Sequence, residues 1–273
     1  VRTGFKRAKE SRGLVIIRKS EAEIAKMARA GAVVRGCLEL LADRVEAGIT
    51  TIELDSLAEK YIRGKGGVPT FKGYRGFPGS ICASPNDMVV HGIPGKTRLK
   101  DGDILGVDVG VTLEGYIADA AMTFPVGEIS DVAVRLLKAT EESLMRGIAQ
   151  CKVGNRVGDI SNAVQKYVEA HGFSVVQAMV GHGVGREMHE DPQVPNYGPP
   201  GQGPELREGM VIAIEPMVNV GGYDVEMGED SWAIYTKDGS LSAHFEHTVA
   251  ITKNGPRVLT ASSGGVDTTT VVR

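Results

Sequence analysis

Two stretches of this 273-residue chain carry the same pattern. Leu99-Lys-Asp-Gly-Asp-Ile-Leu-Gly-Val-Asp108 and Leu206-Arg-Glu-Gly-Met-Val-Ile-Ala-Ile-Glu215 each run from a polar turn into an apolar strand that ends on a carboxylate. Downstream of each comes a second apolar strand with an acid of its own, Asp119 within Tyr116-Ile-Ala-Asp119-Ala-Ala-Met-Thr-Phe124 and Glu246 within Ala243-His-Phe-Glu246-His-Thr-Val-Ala-Ile251. Two pairs of acids at one place repel unless cations lie between them. The repeated spacing therefore points to one metal site assembled from two halves of the chain. Side chains alternate along a strand, so Asp108 shares its face with Gly106, Gly110 and Thr112, while Leu105, Val107, Val109 and Val111 take the other. Asp119 likewise sits with Ile117, Ala121 and Thr123, and Glu215 with Val211 and Ala213. Small neighbours leave space for ions, and the residues between Asp108 and Asp119, Gly115 among them, suffice for a hairpin that sets the two acids side by side. One such acid alone reads equally well as a solvated strand residue; four at paired positions in apolar sequence do not.

Four histidines fall near these acids: His91 in Val89-Val-His-Gly-Ile-Pro94, His182 in Gly181-His-Gly-Val-Gly185, His189 in Met188-His-Glu-Asp-Pro192, and His247 beside Glu246. A lone histidine is ordinarily structural. His182 differs, because glycines on both sides would let its imidazole approach a metal without a crowding Cβ. The glycine run lacks both the G-x-G-x-x-G spacing and the G-K-[ST] ending of a phosphate cradle. No G-x-S-x-G elbow and no H-E-x-x-H helix occur, which argues against a serine hydrolase and a thermolysin-like peptidase.

The elements that must carry these residues also come twice. Gly48, Glu53, Leu54, Lys60, Tyr61, Ile62 and Gly66 match Gly154, Asp159, Ile160, Lys166, Tyr167, Val168 and Gly172 at a constant offset. Two amphipathic helices can resemble each other by chance, but a shared register of helix and strand does not follow from amphipathicity. Ser20 with Glu23 forms a capping box ahead of Ile24, Met27, Ala28, Gly31, Val34, Leu38 and Leu41, which predicts a first long helix. Thr50 with Glu53 opens a second that should stop near Gly64 to Gly67. Residues 130–150 and 157–171 supply the matching pair, with Gly172 as a C-terminal stop. Elsewhere alternation and Gly/Pro punctuation predict antiparallel strands and hairpins. Helices in pairs and strands in runs give an α+β fold rather than βαβ units.

Composition narrows the class. A chain of this length buries enough surface to be stable without disulfides, and Cys37, Cys82 and Cys151, odd in number and widely spaced, indicate neither a disulfide framework nor a zinc finger. A reducing cytoplasm fits. The net charge of -3 gives no general attraction to nucleic acid or to an anionic membrane. Residues 1–19 are strongly basic and read as a solvated tail rather than a docking arm; their Leu14 to Ile17 run is too short for a signal peptide or a membrane span. Residues 259–273 read as a flexible polar tail, which leaves 20–258 as one catalytic domain.

The order Asp108, Asp119, His182, Glu215, Glu246, set within V-V-H-G-I-P, G-H-G-V-G, H-E-D-P-Q-V-P-N-Y, I-E-P-M and F-E-H-T, resembles the type I methionine aminopeptidases, dinuclear metallopeptidases of the pita-bread fold. The resemblance runs from about residue 20 to 258. Only 26 positions separate His189 from Glu215, so the long insertion of type II enzymes is absent. In that fold two halves are related by a pseudo-twofold axis, in agreement with the repeat. The resemblance implies Asp119 and Glu246 as bridging ligands of two divalent ions, Asp108 as a further ligand of one, and His182 with Glu215 completing the other. Such a pair lowers the pKa of a shared water and polarises the scissile carbonyl, and oxygen-rich ligation with one imidazole suits Mn, Fe or Co and admits Zn. Glu215 would also shuttle a proton to the leaving amine, His189 would stabilise the oxyanion, and His91 would hydrogen-bond the substrate amide beyond the scissile bond. The methionine pocket of the family would fall on Phe71, Tyr74, Phe77, Cys82, Met188 and Trp232, groups suited to a thioether; Phe71 and Met188 stand where relatives often have a cysteine and an aromatic. Asn86, Met88 and Ser242 match backbone positions that hold Na or K. The implied substrate is the nascent polypeptide N-terminus, with ribosome association, a monomeric state, no membrane and no specific nucleic acid.

Two other readings stay within the fold. Proline-specific peptidases use a similar site but usually carry an extra N-terminal domain. Non-catalytic pita-bread binding proteins have typically lost metal ligands, whereas all five are present here.

Overall fold

The computed structural model describes residues 15–261. Each half opens with two helices. The first, α1 (Glu21–Ala42), starts at the predicted capping box: the Ser20 hydroxyl accepts from the Glu23 N–H and the Glu23 carboxylate accepts from the Ser20 N–H. Thr50 and Glu53 do the same for α2 (Thr51–Gly64). Their counterparts are α3 (Asp131–Ile148) and α4 (Val157–Ala170). Between them lie β1 (Val68–Pro69), β2 (Ile81–Pro85), β3 (Met88–Val90), β4 (Ile104–Leu113) and β5 (Tyr116–Pro125). After α4 come β6 (Ser174–Val175), β7 (Gly181–Gly183), β8 (Glu190–Val194), β9 (Val211–Ile214), β10 (Met217–Asn219), β11 (Val225–Met227), β12 (Ile234–Thr236), β13 (Ser242–His244), β14 (His247–Thr252) and β15 (Gly255–Val258).

Every strand pairing among the described residues is antiparallel. β4 pairs with β1, β2 and β5, while β15-β14-β9-β7-β8 form a second sheet and β13-β10-β6 a third. α1 packs on β4 and β5, and α3 on β9, β10 and β13. Leu105, Val107, Val109 and Val111 are buried on the helix side, as alternation predicts; each such side chain contributes about 1.5 to 3 kcal/mol. This is the α+β pita-bread arrangement. Cys37, Cys82 and Cys151 are free and buried.

The predicted hairpin is β4–β5, closed by Glu114 and Gly115, both at positive φ, in a two-residue turn. Its register sets Asp108 opposite Ala121 and Asp119 opposite Gly110. The two acids therefore share a face as diagonal neighbours, not as a directly opposed pair. In the second half the corresponding ladder is cut. Ile214 pairs with His247 and Met217 with His244, so one register spans the gap and Glu215 opposes Glu246. Pro216 has no N–H to give, which accounts for the break.

The halves are stitched by a reciprocal exchange. The Thr123 hydroxyl donates to the His244 carbonyl and accepts from the His244 N–H, both at 2.9 Å. The Thr248 hydroxyl does the same for Asp119, at 2.8 and 3.0 Å. Between these two clasps the Glu246 N–H donates to the Ala121 carbonyl at 2.9 Å.

Both expected tails are shorter than the sequence suggested. Lys19, assigned to a solvated tail, is buried against Glu190 at 2.6 Å, and its N–H donates to the Gly209 carbonyl. Leu259 and Thr260 are buried as well, the Leu259 N–H donating to the Thr248 carbonyl and the Thr260 hydroxyl accepting from the Thr248 N–H. Lys19 is held by partners far off in sequence, whereas Leu259 and Thr260 extend the β14–β15 hairpin. Residues 1–14 and 262–273 of those tails lie outside the described residues.

Candidate active site

Where the acid-bearing faces of the two hairpins meet, they enclose a cavity of about 240 Å³ lined by Asp108, Asp119, His182, Glu215 and Glu246. Ligand atoms of Asp119, His182 and Glu246 lie within 4.8 Å of one another. His182 Nε2 is 3.6 Å from Asp119 Oδ2 and 3.5 Å from Glu215 Oε1. Its Nδ1 is 2.8 Å from the Gly183 carbonyl, which directs Nε2 inward.

Burial, reinforced by Asp119, pushes the Asp108 carboxyl well above the ordinary carboxylate range. Glu215 and Glu246 are driven up by burial too, with Asp119 and the other acids adding repulsion. Burial raises Asp119 as well, opposed by His182 and the Thr248 hydroxyl. Asp108 Oδ1 and Asp119 Oδ2 are buried without a hydrogen-bond partner among the described residues. Carboxylate oxygens that lack donors, crowd one another and face an imidazole nitrogen form a donor set that fits divalent cations.

The other predicted residues line the same cavity: His91, His189, Phe71, Tyr74, Phe77, Cys82, Met188 and Trp232. The Phe71 ring lies on Gly110, where a Cβ would come within 2.6 Å of it. The open space beside Asp108 is thus filled by an aromatic wall. Phe77 meets Trp232 edge-on, with centroids 5.1 Å apart. Tyr74 has a polar task beyond packing, its hydroxyl lying 2.9 Å from His189 Nδ1. Loss of hydration, then His182, Arg75 and His91, bring His189 down to about 4. Burial lowers His91, whose backbone is held at φ 61.

The model of metallopeptidase family M24 matches residues 25–253. The chain belongs to metallopeptidase family M24. Over 246 residues it is 55% identical to a methionine aminopeptidase of Clostridium perfringens, covering 90% of this chain and 99% of the relative. The solved methionine aminopeptidase of Thermotoga maritima aligns with a TM-score of 0.90 at 45% identity, over 91% of this chain and all of that one. A prolidase from Pyrococcus furiosus shares the fold alone, with a TM-score of 0.73 at 21% identity; the alignment spans 90% of this chain and 66% of that one. Family M24 implies divalent metal ions, in keeping with the acid cluster.

In this M24 chain two readings of the histidine region change. Cβ atoms on Gly181 and Gly183 would strike the Ala213 and Asp191 carbonyls. The glycines flanking His182 therefore let β7 lie close to its neighbours, rather than clearing a path for a metal. His247 faces away from the cavity and bonds to Thr260 through Nδ1 at 2.8 Å. His244 is the histidine that belongs here, buried, with Nε2 3.8 Å from Glu215 Oε2 and without a hydrogen-bond partner among the described residues. Alternation from Glu246 could have found it: position 244 shares that face and 247 does not. Arg75, Met179 and Val180 also line the cavity and carried no signal in the sequence. Asn86 and Ser242 are joined by a 2.9 Å bond from the Ser242 N–H to the Asn86 carbonyl, and Met88 lies nearby on β3.

Proposed function

We propose that the chain removes the N-terminal methionine from nascent proteins and peptides whose second residue is small. The observation that carries this is a single cavity with four crowded carboxylates and an imidazole beside a wall of Phe71, Phe77, Cys82, Met188 and Trp232. That is a hydrolytic centre next to space for one flexible apolar side chain. The similarity to methionine aminopeptidases over nine tenths of the chain supports the same reading.

Asp119 and Glu246 would bridge two ions, with Asp108 on one and His182 and Glu215 on the other. Mn, Fe, Co or Zn suits this donor set. Bound there, the ions supply Lewis acidity for the scissile carbonyl and for a water. The protein's own groups do the rest. Neutral His189, with the Tyr74 hydroxyl donating to Nδ1, keeps its proton on Nε2 and gives that hydrogen bond to the carbonyl oxygen as charge develops. His91 donates to the amide beyond the scissile bond. Glu215 delivers a proton to the leaving amine. Phe71, Tyr74, Phe77, Cys82, Met188 and Trp232 exclude water and seat the methionine side chain. The reading includes a single catalytic domain that takes in Lys19, Leu259 and Thr260 besides residues 20–258, a monovalent Na or K at Asn86, Met88 and Ser242, and a cytoplasmic monomer that meets its substrate at the ribosome. No helix among the described residues is long and apolar enough to cross a membrane.

Peptide hydrolysis tests the proposal. A Met-Ala peptide should be cleaved, chelator should abolish cleavage, and Mn, Co or Fe should restore it. Equal rates on Met-Ala and Lys-Ala would refute the methionine assignment. Faster turnover of Ala-Pro or Gly-Pro would hand the site to the proline-specific reading.

A further inference from the structure

Lys19 and Glu190 form an ion pair at 2.6 Å with side chains only 3% and 5% exposed. A buried ion pair forfeits the hydration of both partners, so it seldom stabilises more than an apolar pair of the same volume. What it does fix is geometry. The Lys19 ammonium also donates to the Ile17 carbonyl at 3.1 Å, and the other Glu190 oxygen accepts the N–H of Arg186 at 3.0 Å and of Glu187 at 3.3 Å. One carboxylate thus closes the turn between β7 and β8, and that turn carries Met188 and His189. The pair packs against Gly185, where a Cβ would lie 2.5 Å from Glu190 Oε1 and 2.6 Å from Lys19 Cε and would push the two side chains aside. The other end of the brace is anchored: the Lys19 N–H donates to the Gly209 carbonyl and Arg18 Nε to the Glu208 carbonyl, both at 2.6 Å. The Val15 N–H reaches Asp191 Oδ2 at 3.2 Å.

We propose that Lys19 and Glu190 are positioning residues for hydrolysis: the strap at residues 15–19 aims His189 at the scissile carbonyl and Met188 into the pocket wall through this ion pair. The inference rests on the function proposed above. Neither side chain lines the cavity that holds the carboxylates, so metal content should be untouched.

The test uses full-length Lys19→Met, with kcat and KM on a Met-Ala peptide, bound metal, and the 13C shift of the Met188 methyl. Expected are a fall in kcat of about 10- to 100-fold, the cost of a small misplacement, with full metal content and a moved Met188 resonance. A double-mutant cycle with His189→Ala separates aiming from mere bracing. If Lys19 acts through His189, Lys19→Met costs little more in the His189→Ala background. Multiplying effects, or wild-type kcat with an unmoved Met188 signal, would overturn the proposal. Should Lys19→Met fail to fold by circular dichroism, Glu190→Gln, which keeps volume and an acceptor oxygen, goes through the same cycle; loss of fold in both also overturns it. If the wild-type chain cleaves no Met-Ala, the parent reading fails, and the Met188 shift still decides whether the pair sets the turn.

Discussion

The two hairpins that form the site share a backbone frame and differ in what they place on it. β4–β5 is an unbroken ladder, whereas its counterpart is severed at Pro216 into β9–β14 and β10–β13. When the registers are matched through the clasps of Thr123 and Thr248, Asp108 corresponds to Glu215, Ala121 to Glu246, and Asp119 to His244. Only the first of these is acid for acid. In the intact half the acids are diagonal and Ala121 keeps like charges from facing each other. In the broken half Glu215 and Glu246 oppose directly, a pairing that repels across a ladder, with His244 beside them. Duplication supplied the scaffold and the seam; the ligand sets diverged, so two ions held here would be inequivalent.

The widest separation should come from the acids. Asp119→Asn and Glu246→Gln preserve shape but weaken both ions, whereas Asp108→Asn chiefly weakens one. Metal titration should show two sites perturbed in the first two variants and mainly one in the third. Activity in the first two should fall by more than about 100-fold, the upper end of what losing an outer hydrogen-bond partner costs a metal site. Indistinguishable titrations would erase the asymmetry between the halves.

Next come His182 and His189, whose rings lie 4.4 Å apart. His182→Ala should lose metal as well as activity. His189→Ala should keep its metal while kcat drops by about 10² to 10³, the usual effect of removing one oxyanion donor. Metal analysis of both purified variants checks this, and the reverse pattern would exchange the two assignments.

The smallest effect probes the seam. Thr123→Val and Thr248→Val each leave buried backbone groups without a partner and should cost a similar ~1 to 3 kcal/mol in denaturant unfolding. Only the Thr248 hydroxyl also reaches Asp119 Oδ1, at 2.8 Å. Metal affinity should therefore fall, by about 10- to 100-fold, in Thr248→Val alone. Equal affinities would mean that the symmetry of the clasps extends into the site.

Much of this was legible because it is local. Ser20 with Glu23 and Thr50 with Glu53 mark helix starts at a three-residue spacing, and alternation identifies the apolar face of β4 and the acid face opposite. The repeated turn-and-strand motif paired Asp108 with Glu215, and an acid in the next strand-like run of each half, Asp119 and Glu246, completed the four carboxylates of one cavity. What escaped was set by tertiary contacts and strand pairing that no local spacing shows. Lys19 looks like part of a basic tail until Glu190 buries it, and Leu259 and Thr260 look like a loose end until β14 takes them up. Gly181 and Gly183 invited a reason drawn from the metal, whereas the carbonyls of Ala213 and Asp191 dictate them. The contrast between Asp119, diagonal to Asp108, and Glu246, opposite Glu215, lies in which position of a common register carries the acid, and that register is known only once the strands are paired.

The clasps also govern the order of events during folding. Thr248 and Asp119 are 129 positions apart, and Thr123 and His244 are 121 apart. Loop-closure entropy must be met before such contacts form, so the cavity comes into being only when nearly the whole chain has left the ribosome. Either half alone holds too few of the acids to retain a pair of ions. The last long-range contacts to close should be those that create the hydrolytic centre, and a growing chain would stay inert as a peptidase until its final strands are in place.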